Sequence, residues 1–157
     1  MSDDGFSMME LMMVLAVVAI LALMALPNFS DKFARDQIVE ALPLADIAKG
    51  PIAGSWAATQ TFPGNNASAG LPAADQIVNN FVRSVSVRDG AIDITFGNRA
   101  NALIKDKILT LRAAVVEASP VVPVTWVCGF AAVPEPMTMR GSNNTNIPVA
   151  YLPLKCR

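Results

Sequence analysis

From Leu11 to Leu26 every side chain is apolar, and the run opens abruptly after Gly5 and stops at Pro27. A helix over residues 6–26 would be roughly 32 Å long at ~1.5 Å per residue, enough to span the hydrocarbon core of a bilayer. Past Pro27 the pattern becomes amphipathic: Phe29, Phe33, Ala34, Ile38, Ala41, Leu42 and Ala45 recur at spacings of mostly three or four, with Asp31, Lys32, Arg35, Asp36 and Glu40 between them. That spacing predicts a helix with one buried face. It continues through Ile47 and Ile52 to about Ala58, with Pro27 and Pro43 as candidate kinks and Gly50-Pro51 and Gly54 as weak points.

Residues 59–72 hold Pro63-Gly64-Asn65-Asn66 and Ser68-Ala69-Gly70, turn signals without an apolar period, and read as a connecting loop. Residues 82–87 and 91–96 flank Arg88-Asp89-Gly90, and Ile92, Ile94 and Phe96 alternate with Asp93 and Thr95, the mark of a half-buried strand beside a hairpin turn. Two more strands fit residues 108–116 and 121–128, the second with Val122, Val124, Trp126 and Cys128 on one face. From Gly129 onward four prolines and the polar run Gly141-Ser142-Asn143-Asn144-Thr145-Asn146 leave little regular pattern. The expected fold class is α+β: a long N-terminal α-helix, transmembrane in its first half and amphipathic in its second, packed on a four-stranded antiparallel meander.

Glu10 does not fit a plain anchor, because an ionised acid inside a spanning helix costs roughly 2.5–3.5 kcal/mol on insertion scales and calls for a partner. A cut between Gly5 and Phe6 would create an α-amino group near it and make Glu10 the fifth residue of the shortened chain. The stretch Gly5-Phe6-Ser7-Met8-Met9-Glu10-Leu11, the long apolar run and Pro27 together resemble the class III signal of type IV pilins. Met1–Gly5 would be the leader removed by the inner-membrane prepilin peptidase, and Phe6 the residue then N-methylated. Glu10 would pair with the α-amino group of a neighbouring subunit during assembly. The resemblance further implies a helical homo-oligomeric filament, built by inner-membrane assembly machinery with motor ATPases from subunits held first in the inner membrane, then displayed outside a Gram-negative cell as a pilus. The resulting divisions are a leader at 1–5, a hydrophobic assembly stem at 6–27, an amphipathic helix at 28–58 and a globular head at 59–157. The order Trp126-Val127-Cys128, then Tyr151-Leu152-Pro153-Leu154-Lys155-Cys156-Arg157, resembles the disulfide-bounded C-terminal region, residues 128–156, of type IVa pilins.

The chain has two cysteines and no histidine. In a translocated head an even pair reads most simply as a Cys128–Cys156 disulfide. The competing use is a metal site, for which a histidine or a second cysteine pair would have to complete the usual four ligands. Type II secretion pseudopilins share Glu10 and the stem but usually lack this disulfide. Family leaders usually carry Lys or Arg, whereas this one is Met1-Ser2-Asp3-Asp4-Gly5, so the positive-inside rule leaves the orientation ambiguous or reversed.

Formal charge is −1 for the whole chain, and loss of Asp3 and Asp4 would make it +1; neither value argues for a polyanionic partner. Arg83, Arg88, Arg99, Lys105, Lys107 and Arg112, with Lys155 and Arg157, are the residues that would carry DNA if this were a competence pilin. The bland reading is a solvated sheet face. Met8, Met9, Met12, Met13 and Met24 read as adaptable packing groups rather than a metal or heme path. There is no glycine-rich phosphate loop and no nucleophile signature, so neither enzyme activity nor a cofactor is expected. Asn66-Ala67-Ser68 and Asn143-Asn144-Thr145 match the glycosylation tripeptide, and no glycan is assigned to either. The expected function is that of a filament subunit serving adhesion, twitching motility or DNA uptake, with DNA or a surface ligand as its outside contact; a minor pilin would carry the same motifs.

Overall fold

The structure, a computed structural model, describes residues 5–25 and 27–157. The leader residues Met1–Asp4 and the junction residue Leu26, where the stem was expected to kink ahead of Pro27, lie outside the described residues. The chain begins with α1 (Met8–Ala25) and α2 (Pro27–Ala41), passes through a 3₁₀ turn (Leu42–Ala45), and continues as α3 (Asp46–Thr59). Pro43 sits in that 3₁₀ turn, as its missing N–H demands, so the amphipathic helix is interrupted there and resumes at once. Pro51 is accommodated inside α3 on the exposed side. Gln60 ends α3 in the left-handed region (φ 54°), its N–H donating to the Trp56 carbonyl at 2.9 Å.

The buried face of α2 and α3 is Ala34, Ile38, Ala41, Ala45, Ala48, Ile52 and Trp56, a stripe at three- and four-residue spacing. Phe29 and Phe33, expected on that stripe, are instead 61% and 58% exposed. They precede the first residue that reaches the sheet, so nothing of the head lies over them. Ile47 likewise faces outward.

The sheet follows the expected order. β1 (Val82–Arg88), β2 (Ala91–Phe96), β3 (Ile108–Val115) and β4 (Thr125–Cys128) pair successively and antiparallel. Asp89 and Gly90, with φ of 48° and 86°, make the two-residue turn between β1 and β2, where both positions need positive φ. Val85, Val87, Ile92, Ile94, Phe96, Leu109 and Leu111 present one face of the sheet to the helix and form the core with it.

Two features differ from expectation. β4 is only four residues long: residues 121–124 leave the sheet, because Pro123 has no N–H for the ladder and β3 ends at Val115. A fifth, two-residue strand, β5 (Thr138–Met139), pairs with Ala114 and Val115 at the end of β3, continuing the side that β2 occupies further along. The edge of β1 is capped by a side chain, since Asn66 Nδ2 donates to the Val85 carbonyl at 3.0 Å and its Oδ1 accepts from Val87 N–H at 2.7 Å. An amide thereby stands in for a neighbouring strand.

Candidate assembly site

The stem begins with a reciprocal pair of bonds. Ser7 is the residue before the first helical position; its Oγ accepts from Glu10 N–H at 3.2 Å, while its own N–H donates to Glu10 Oε2 at 3.1 Å. This is a capping box, and it satisfies backbone donors that a helix start would otherwise leave open in lipid. The pattern Ser-x-x-Glu is present in the sequence at Ser7 and Glu10, on the same residue whose charge stands out against the apolar run. Glu10 forms no ion pair among the described residues, and its Oε1 accepts no hydrogen bond from them. Gly5 and Phe6 lie in an exposed, non-helical segment ahead of the box.

No residue of α1 is buried, yet from Leu11 to Ala25 every one is apolar. The helix is long and apolar enough to cross a membrane, and it shows the same character on every side. Its surface has to be covered by something other than this head.

At the other end of the chain Cys128 and Cys156 are bonded, with Cα atoms 4.5 Å apart. Gly129 follows in the left-handed region at φ 57°, and a Cβ there would lie 2.6 Å from the Cys156 carbonyl oxygen, so no larger residue fits. The segment between the cysteines folds over the outer face of the sheet onto Asp93, which is 5% exposed. Its carboxylate accepts from Arg88 Nη2 (3.0 Å), Thr110 Oγ1 (2.7 Å) and Asn144 Nδ2 (2.9 Å). The alternation in β2 had marked Asp93 as solvent-facing; the covering segment, without periodicity of its own, left no signal for its burial.

The six basic residues do not make one patch. Arg88 turns to Asp93, Arg112 donates to the Gly129 carbonyl, and Arg83 pairs with Asp106 at 2.8 Å. Arg99, Lys105 and Lys107 gather separately on the β2–β3 connection. Both candidate glycosylation asparagines are occupied: Asn66 caps β1, and Asn143 donates to the Gly129 carbonyl while accepting from Thr145 N–H.

An α+β head closed by a C-terminal disulfide, on an apolar stem that the head leaves bare, defines a class of subunit that other molecules must complete. Residues 34–157 match the pilin family, a family of bacterial filament proteins, and residues 1–26 match the prokaryotic N-terminal methylation motif. The chain is 35% identical over 162 residues to a fimbrial protein of Neisseria meningitidis serogroup B, covering 98% of this chain and 93% of that one. It is 32% identical over 164 residues to the type IV major pilin protein PilE of Neisseria gonorrhoeae, with the same coverage, and 31% identical over 156 residues to the fimbrial protein EcpC of Eikenella corrodens, covering 98% and 90%. The chain belongs to the pilin family, whose members are structural proteins.

Proposed function

We propose that this chain is the structural subunit of an extracellular type IV pilus, made as an inner-membrane prepilin and polymerised through its stem. The observation that carries the reading is α1: a helix apolar on every side that buries nothing against its own head. Lipid covers such a surface before assembly, and the stems of other copies cover it afterwards. Its work is association, and no catalysis is assigned to it. Because the membrane-held subunit is already out of water, packing and polar pairing, with coupling to motor ATPases of the assembly machinery, have to favour the filament.

In this reading the prepilin peptidase cuts between Gly5 and Phe6, in the exposed segment before the helix, and Phe6 is then methylated. Residues 1–5 are the leader, 6–27 the assembly stem, 28–58 the amphipathic helix and 59–157 the head, with the bounded region at 128–156. Glu10 accepts the new α-amino group of a neighbouring copy, which neutralises an acid otherwise costly in a dry core. The test is intact and N-terminal mass spectrometry, with and without reductant, on filaments sheared from cells. A dominant species starting at methylated Phe6 with the Cys128–Cys156 bond intact is expected. Recovery of the chain only from the inner membrane, with Met1–Gly5 retained, would replace the filament reading with that of an anchored protein.

A further inference from the structure

The head is electrostatically polar along its length. An antiparallel meander places successive connections at alternate ends of the strands, so the Asp89-Gly90 turn and the residues after β3 share one pole with the C-terminus of α3. The β2–β3 connection, residues 97–107, lies at the opposite pole, where Asn101 N–H donates to Gln37 Oε1 on α2. The length of β2 puts about 20 Å between the poles.

At the pole where α3 ends, a cleft of about 600 Å³ is lined by Gln60, Thr61, Phe62, Asp89, Glu117 and Arg140. Arg140 Nη2 meets Glu117 at Oε1 (2.6 Å), leaving the half-exposed carboxylate's Oε2 with no hydrogen bond among the described residues, and Asp89, Glu117 and Arg140 together sum to −1. The exposed carboxylate of Asp89 has neither an ion pair nor a hydrogen bond among the described residues, and the carbonyl end of α3 adds the negative end of its dipole. At the α2 pole Arg99, Lys105 and Lys107 have no ion pair among the described residues, and Asp106, the one acid of that connection, is taken by Arg83. The adjoining stretch of α2 sets Lys32 and Arg35 against Asp31, Asp36 and Glu40, a net −1 that lowers the +3 of Arg99, Lys105 and Lys107 to +2 and leaves this pole positive.

We infer that in the filament the cleft at the α3 pole of one head receives the 97–107 connection of a second copy, with Arg99 and Lys105 meeting Asp89 and Glu117. This rests on the filament reading. Heads that all point the same way bring unlike poles together, a heterologous contact that does not close on itself and so propagates. Apolar packing between stems is non-directional, whereas facing charges set orientation and register.

The experiment uses full-length chains in cells that assemble the wild-type filament. Glu117→Lys and Lys105→Glu, each alone, should lower sheared-filament yield roughly two- to fivefold, and the two together should restore it. Wild-type filaments should melt lower as salt is raised, and filaments of Asp89→Asn/Lys105→Gln should lose that dependence. Asn suits the positive φ at position 89, and melting of the unassembled chain in detergent identifies any variant that fails to fold. In folded variants, single reversals that leave yield unchanged, or a swap no better than either reversal, overturn the contact while the filament reading stands. A wild-type chain found only in the membrane removes both.

Discussion

Glu10 carries a charge on a helix apolar for the next fifteen residues, and one of its two carboxylate oxygens is engaged by Ser7 of its own subunit. The two roles open to that side chain separate chemically, because glutamine closes a capping box as well as glutamate does but cannot pair with an ammonium group. Glu10→Gln should therefore keep the amide protons of Ser7 and residue 10 protected from exchange in detergent-held subunits, yet yield no filaments. Ser7→Ala should do the converse, loosening the helix start by about 1 kcal/mol while filaments still form. If Glu10→Gln assembled normally, the acid would be a cap and nothing more, and its assignment to assembly would fall.

At the scale of elements, the outward side of α3 holds two glycines with no role in the head's own packing. A Cβ at Gly50 or Gly54 would meet nothing within 4 Å, and neither has a positive φ. Glycine inside a helix costs about 1 kcal/mol relative to alanine, so Gly54→Ala should raise the melting temperature of the full-length chain in detergent by about 2–4 °C. A fall would mean that α3 needs the glycine for a backbone contact inside the subunit. Elements with strong periodicity were legible from the sequence: the stem helix and the β1–β2 hairpin each stand within a residue or two of expectation, while the buried face of the amphipathic helix starts at Ala34 instead of Phe29 and leaves Ile47 outside. Residues 121–124 misled because three valines promise a strand, while the proline among them and the end of β3 remove the hydrogen bonds a strand needs. The capping box shares Glu10 with a stronger signal, the lone acid of an apolar run, and Ser7-x-x-Glu10 alone does not separate the two roles. Burial of Asp93 was not legible at all, since it depends on a segment whose path over the sheet is set by a disulfide and by side-chain bonds distant in sequence.

For the whole molecule, that segment is the part with least structure of its own and most dependence on tethers. It is held at its ends by the Cys128–Cys156 bond, spanning a sequence separation of 28, and near its middle by the Asp93 carboxylate. Closing a loop of this size contributes roughly 3–4 kcal/mol in the chain-entropy model. Removing the carboxylate orphans the Thr110 hydroxyl and Arg88, and with Arg88 about a third exposed the loss is about 2–3 kcal/mol. Either tether alone, aided by the buried side chains of Ile147 and Leu152, should keep the segment on the sheet. Cys128→Ser/Cys156→Ser and Asp93→Ala should therefore each melt lower than the parent chain yet resist limited proteolysis between residues 129 and 146 at room temperature. The triple variant should be cut there rapidly while β1, β2 and the helix stay protected, because their shared core does not include that stretch. Rapid cutting in the Asp93→Ala chain with its disulfide intact would show that the buried carboxylate, rather than the covalent bond, fixes the outer surface of the head.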